Sequence, residues 1–173
     1  MAVWGRVQPG GAREKRLWLI GFLLGGAMLL IDQMSKIACE HYFRLGERVE
    51  LIAGFFDLTH VRNKGAAWSM FSGQRFLLLA VAMLALAGII RYFRQLAENL
   101  PERYLALSLV LSGIVGNSID RLWRGEVVDF FSLHYRDIYY YPVFNVADIC
   151  ICVGVGIFLL SSLFRHSAPA EKA

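Results

Sequence analysis

Two aspartates in this 173-residue chain stand in apolar surroundings with no cation nearby in sequence. Asp129 lies in Val127-Val128-Asp129-Phe130-Phe131, and Asp148 lies among Val146, Ala147, Ile149 and Cys150 with Asn145 as its polar helical neighbour. Two unpaired carboxylates brought to one place perturb each other, and one proton shared between them is the cheapest arrangement. Such a dyad is an acid and a base at once and can activate water on a carbonyl. Other polar residues gather around the same parts of the chain. Asp32 and Lys36 are spaced i,i+4, Asn117 and Arg121 likewise, and Asn117–Asp120 and Asn145–Asp148 are i,i+3 pairs. The bland reading makes Asp32, Lys36 and Asp120 structural, with Asp32 paired to Lys36 and Asp120 to Arg121 or another cation. At membrane depth each unpaired charge costs about 2.5–3.5 kcal/mol.

Rival chemistries are weaker. Ser35, Ser69 and Ser118 lack a specific His or Lys partner, and His41, His60, His134 and His166 are scattered. His134 with Asp129, Asp137 and Asp148 is a conceivable metal set, but no tight ligand spacing supports it, so no metal and no cofactor are expected. No glycine-rich phosphate loop follows a strand. Gly21 and Gly25 form a small-xxx-small step suited to close helix packing.

The elements that must position these residues are apolar helices. Hydrophobic residues make up 57% of the chain, mean hydropathy is +0.48, and charged residues are 18%, against about 25% in soluble domains. That excludes a disordered chain and a soluble nucleic-acid binder. Four apolar stretches stand out, with spans expected over residues 17–38, 76–93, 104–122 and 143–164. Each reaches the ~20 residues needed to cross a bilayer only by including its polar flank. The polar residues therefore sit near helix ends, and by parity all share one end of a four-transmembrane-helix bundle.

Lys and Arg flank both faces in similar numbers, but on the side of the termini they crowd into shorter segments, so both termini are expected in the cytoplasm. A cleaved signal peptide is disfavoured because three more spans follow the first. Residues 49–51 and 56–61 alternate around Ala53-Gly54 and predict a β-hairpin on the outer side. Residues 123–142 read as an aromatic-rich loop at the membrane interface. Cys150 and Cys152 read as small core residues, and residues 1–12 and 167–173 as loose tails. The fold class is thus an all-α membrane protein with a small extracytoplasmic strand segment, in a single domain.

Five segments carry a family resemblance. They are Asp32-Gln33-Met34-Ser35-Lys36, Asn63-Lys64-Gly65-Ala66-Ala67-Trp68-Ser69, Gly116-Asn117-Ser118-Ile119-Asp120-Arg121, Gly125-Glu126-Val127-Val128-Asp129-Phe130 and Phe144-Asn145-Val146-Ala147-Asp148. In that order, across residues 17–164, the chain resembles signal peptidase II, a family of bacterial inner-membrane aspartic proteases. Trp68 stands where the family usually has Phe. The resemblance implies Asp129 and Asp148 as the catalytic pair, with Asn63, Gly65, Asn117, Arg121 and Asn145 supporting the substrate site. It also implies lipid-modified prolipoproteins as substrates, cut just before the lipidated cysteine. Partners are then these precursors and membrane lipids, with no nucleic acid, and the expected state is a monomer. Two other classes remain open on the residues alone. An ion- or proton-coupled transporter is disfavoured because the acids cluster at one end rather than at the midplane. A non-catalytic membrane adaptor leaves the cost of Asp148 unexplained.

Overall fold

A computed structural model describes residues 11–166 other than 67, 69 and 137, with residues 165 and 166 described for their backbone alone. The tails expected to be loose lie outside the described residues, except that residue 12 already begins a helix. The chain runs α1 (Ala12–Tyr42), β1 (Arg48–Ile52), β2 (Phe56–Asn63), α2 (Arg75–Ala97), α3 (Pro101–Trp123), β3 (Val127–Tyr135), β4 (Tyr139–Tyr140) and α4 (Val146–His166). All four helices are long and apolar enough to cross a membrane. They overrun the expected spans at most ends because polar flanks continue the helix. The exception is the start of α4, where residues 143–145 stay outside it.

The helices are not equivalent. Half of the apolar window of α3 is buried (50%), against 11% for α1 and for α2. The third helix is therefore the spine on which the other three pack, and α2 turns most of its surface outward. Helices α2 and α3 are joined through Glu98 and Asn99 in left-handed conformation, followed by Pro101 in the first turn of α3. So short a connection makes antiparallel neighbours. Small residues set the distance between α1 and α3. A Cβ at Gly21 would lie 2.5 Å from Ser108 Oγ, and one at Gly116 would lie 2.5 Å from Asp32 Oδ2. The Gly21–Gly25 step is thus a packing surface.

Away from the sheet, the bundle end holds more than ordinary flanking charges. Glu14 is buried and pairs with Arg94 at 3.1 Å, which ties α1 to α2. Arg103 is also buried; it pairs with Glu98 at 2.7 Å and donates to the hydroxyls of Ser161 and Ser162 on α4.

At the other end sits a four-stranded antiparallel sheet in the order β1-β2-β3-β4. The expected hairpin is β1–β2. The segment read as an aromatic loop instead supplies β3, nine residues long and paired along β2 from Phe56↔Leu133 to Asn63↔Val127. Its alternate apolar residues have a core to enter: Val128 and Phe130 pack with Cys39 of α1 and with Val146 and Cys150 of α4. This cluster fixes the sheet onto the helix ends. Cys150 is a core residue as expected, whereas Cys152 is exposed on α4.

Candidate active site

The first turn of α4 fixes one aspartate. Asp148 N–H donates to Asn145 Oδ1 at 3.0 Å, and Asn145 N–H donates to Asp148 Oδ2 at 3.2 Å. That reciprocal pair is a capping box, with Asn145 at the N-cap and Asp148 three residues on. It satisfies two otherwise orphaned donors and holds the carboxylate where the helix N-terminus favours negative charge.

The sheet fixes the other aspartate. Asp129 of β3 pairs with Val61 of β2, and Asn63 pairs with Val127, so Asn63 and Asp129 are diagonal neighbours across the two strands. Asn63 Nδ2 donates to Asp129 Oδ2 at 2.9 Å, and Asn145 Nδ2 donates to Asp129 Oδ1 at 2.7 Å. Asn117 Nδ2 donates to Asp148 Oδ1 at 2.7 Å. Every oxygen of the two carboxylates thus accepts a hydrogen bond from an asparagine, and Asn145 touches both. Burial, then the charge of Asp148, pushes the Asp129 carboxyl from its ordinary 3.8 up to about 7.

Beneath the asparagines lies an ion cluster. Lys36 is fully buried, with Nζ 2.9 Å from Asp32 Oδ2, 3.0 Å from Asp120 Oδ2 and 3.0 Å from Asn117 Oδ1. Asp32 Oδ1 accepts the Ala147 N–H at 2.9 Å, and Asp120 Oδ2 accepts the Val128 N–H at 3.1 Å. The cluster therefore anchors the backbone beside each of the two site aspartates, Asp148 and Asp129. Asp32 pairs with Lys36 as its spacing suggested. Asp120 does not pair with Arg121: its cations are Lys36 and Arg124, the latter at 2.6 Å and one helical turn on. Arg121 points the other way, donating to the Gly65 carbonyl at 2.9 Å and the Asn117 carbonyl at 3.3 Å. Gly65 N–H in turn donates to Asn63 Oδ1 at 2.9 Å, so Arg121 braces the loop that aims Asn63.

Both aspartates line a cavity of about 310 Å³, together with Asn63, Asn117 and Arg121. Ala82, Ile114 and Ile151 of the helices form its apolar wall, and Tyr141 and Phe144 close its sheet side. A wider cleft of about 1010 Å³ beside the end of α1 contains neither aspartate. It is rimmed by Glu40, which already pairs with Arg62 and Arg124. The smaller cavity is the one that combines both carboxylates with an apolar wall.

Comparison with known proteins gives the family. The model of the Signal peptidase (SPase) II family matches residues 16–164. The chain belongs to the signal peptidase II family. A lipoprotein signal peptidase of Clostridium acetobutylicum is 47% identical over 135 residues, covering 76% of this chain and 88% of that one. Another, of Symbiobacterium thermophilum, is 44% identical over 154 residues, covering 89% and 97%. A bacterial membrane enzyme solved by the in meso method at 2.3 Å superposes with a TM-score of 0.83 at 30% identity, over 89% of this chain and 93% of that one. The protein is a multi-pass membrane peptidase.

The nine polar residues singled out in the sequence stand in or directly beneath the cavity, and Gly65 stands beside it on the loop that Arg121 braces. Two contributors were missed. Gln33 donates to Asp32 Oδ2 at 2.9 Å and to the Gly116 carbonyl at 3.3 Å, and Arg124 clamps Asp120. The i,i+4 spacing of Asp120 and Arg124 was a readable signal; nothing local marked Gln33. His134 does not join the site aspartates. It lies five residues further along β3, with Nε2 3.1 Å from Asp57, while Asp137 falls outside the described residues.

Proposed function

We propose that the chain cleaves diacylglyceryl-modified prolipoproteins just before the lipidated cysteine, using water activated by Asp129 and Asp148. The observation that carries this reading is the pair of buried carboxylates held on all four oxygens by Asn63, Asn117 and Asn145 at the wall of one cavity. Cation-free carboxylates that face each other retain one proton near neutral pH. In the reactive form the shared proton sits on Asp129, whose carboxyl burial and the neighbouring charge raise to about 7, and the charge sits on Asp148 at the α4 N-terminus. Asp148 then takes a proton from water as the water oxygen attacks the scissile carbonyl, and Asp129 gives its proton to the carbonyl oxygen. In the collapse of the tetrahedral intermediate, Asp148 returns a proton to the leaving nitrogen and Asp129 recovers its own.

The relatives named lipoprotein signal peptidase support the substrate class. The apolar wall from Ala82, Ile114 and Ile151 suits a substrate that carries acyl chains and a transmembrane signal helix. Arg121, with its guanidinium on the cavity wall, is placed to contact a lipid phosphate or a peptide carbonyl. We place the protein in the bacterial inner membrane as a monomer, with both termini cytoplasmic and the sheet and cavity at the outer leaflet. The density of Arg and Lys beside the spans supports that orientation.

The test is cleavage of a lipid-modified precursor peptide by the purified chain in detergent, with and without EDTA, followed by sequencing of the products. The expected result is one cut before the modified cysteine, insensitive to EDTA. Metal-dependent turnover, or cleavage elsewhere, would overturn the proposal.

A further inference from the structure

The sheet carries a second cluster of ligating groups that the peptidase chemistry does not use. Glu50 of β1 and Asp57 of β2 stand directly opposite each other. Like charges in that position repel across a hairpin unless a cation sits with them. His134 of β3 brings Nε2 to 3.1 Å from Asp57 Oδ1. One ligating atom from each of Glu50, Asp57 and His134 lies within 4.8 Å of the other two.

The protonation pattern sharpens the point. His134 Nδ1 is 3.0 Å from the Arg136 carbonyl, which can only accept, so Nδ1 carries the hydrogen. Nε2 then faces a carboxylate oxygen at 3.1 Å, a contact that needs a proton or a cation between the two atoms. Asp57 and His134 are 1% and 7% exposed. Asp57 Oδ2, His134 Nε2 and Ser132 Oγ are all buried without a hydrogen-bond partner, and Ser132 is the register partner of Asp57 on β3. Three orphaned polar atoms in one spot call for a shared partner.

Two guanidinium groups stand near the cluster, and neither hydrogen-bonds its orphaned atoms. Arg48 Nε is 3.3 Å from Asp57 Oδ2 but without hydrogen-bond geometry, and its half-exposed side chain lies over Tyr140. The Arg136 guanidinium is turned away over Tyr135. The Tyr140 ring stacks on the imidazole at 5.1 Å and shields it. Glu50 uses Oε1 to accept the Gly54 N–H at 2.7 Å, which fixes its carboxylate and leaves the second oxygen free to ligate.

We propose that Glu50, Asp57 and His134 form a zinc-binding site on the sheet, separate from the peptidase cavity. One imidazole nitrogen with two carboxylate oxygens suits Zn²⁺, and three protein ligands leave a fourth position for water or Ser132 Oγ. Calcium and magnesium take all-oxygen sets and are disfavoured by the imidazole. The Nδ1–H bond to a backbone carbonyl is the support that a metal-bound histidine uses to fix its tautomer. A metal here pins β1, β2 and β3 together. It thereby steadies the strands that carry Asn63 and Asp129 while taking no part in cleavage.

The test uses the full chain in detergent, stripped with EDTA and titrated with Zn²⁺ by calorimetry, with the bound metal counted by elemental analysis. The expected result is one Zn²⁺ per chain and a higher Tm when it is bound. Glu50→Gln and His134→Gln should each weaken binding by at least about tenfold. Glu50 is exposed, so its variant keeps the test decisive if His134→Gln fails to fold. Glu50→Gln should also leave peptidase turnover unchanged, which separates this proposal from the cleavage chemistry. Absence of Zn²⁺ binding by the wild-type chain would overturn the site, as would binding of equal strength in both variants.

Discussion

Two pairs of aspartates sit within a few bonds of one another at the sheet end of the bundle, and they differ in what holds them. Asp32 and Asp120 share the buried ammonium of Lys36, and Asp120 also takes Arg124. Asp129 and Asp148 are held by asparagine amides. All four carboxylates are placed by hydrogen bonds, so position alone does not separate them. The partner's charge does. A cation compensates ionisation and makes a fixed strut, whereas a neutral amide fixes the geometry and leaves the proton count free. Asn117 joins the two regions, accepting from Lys36 on one side and donating to Asp148 on the other. The scaffold can therefore be stiff and charged directly beneath the two amide-held carboxylates, for which we propose proton exchange.

The largest expected effect is on the amide-held side. Asp148→Asn should lower turnover per folded molecule by about 10²–10⁴-fold, because a combined acid–base role is lost. Single-turnover cleavage of a lipidated precursor reads this, and near-normal turnover would erase the distinction between the pairs. On the cation-held side, Lys36→Met strands two buried carboxylates and should cost about 3–5 kcal/mol of stability. Denaturation in detergent measures it, and a loss under about 1 kcal/mol would mean that water or another cation already compensates the cluster.

The pH dependence of stability sharpens the comparison next. The Asp129 carboxyl stands at about 7 in the fold against an ordinary 3.8. Between those values the unfolded chain has released a proton that the folded chain still holds. Folding stability attributable to this group therefore falls as pH rises from about 4 to about 7, and the loss is complete above that. Its size is at most about 4 kcal/mol, at ~1.4 kcal/mol per unit. Asp129→Asn removes this dependence, so the stability of the variant relative to wild type should rise across that window. A difference that is flat with pH would show that Asp129 is not raised. The smallest effect belongs to Arg124→Gln, which leaves Lys36 on Asp120 and Arg62 on Glu40 while removing the guanidinium's bonds to Asp120 and the partly exposed Glu40, for about 1.5–3 kcal/mol and little change in turnover.

Much of this was legible in the sequence because the signals were local. Apolar length gave the four helices, and the want of a cation near Asp129 and Asp148 marked the two aspartates that meet at one cavity. Asn145 and Asp148 at i,i+3 before an apolar run also fit a capping box, which is how the first turn of α4 holds that carboxylate. What stayed hidden depended on chain crossings. Lys36 reaches Asp120 from another helix, so the adjacent Arg121 looked like the natural partner. Arg121 is drawn instead to the Gly65 carbonyl, 56 residues earlier in the chain. The strand character of residues 127–135 was masked by its aromatics. The buried Glu14–Arg94 pair likewise joins two helices far apart in the chain.

The most direct test sets one member of each pair side by side. Asp129→Asn and Asp120→Asn are purified in the same detergent, and each is measured for Tm and for turnover per folded molecule on a lipidated precursor. The expected result is crossed: Asp129→Asn loses turnover without a fall in Tm, while Asp120→Asn loses Tm and keeps most of its turnover. A fully stable Asp120→Asn without turnover, or an active Asp129→Asn, would contradict the division of the four aspartates into strut and dyad.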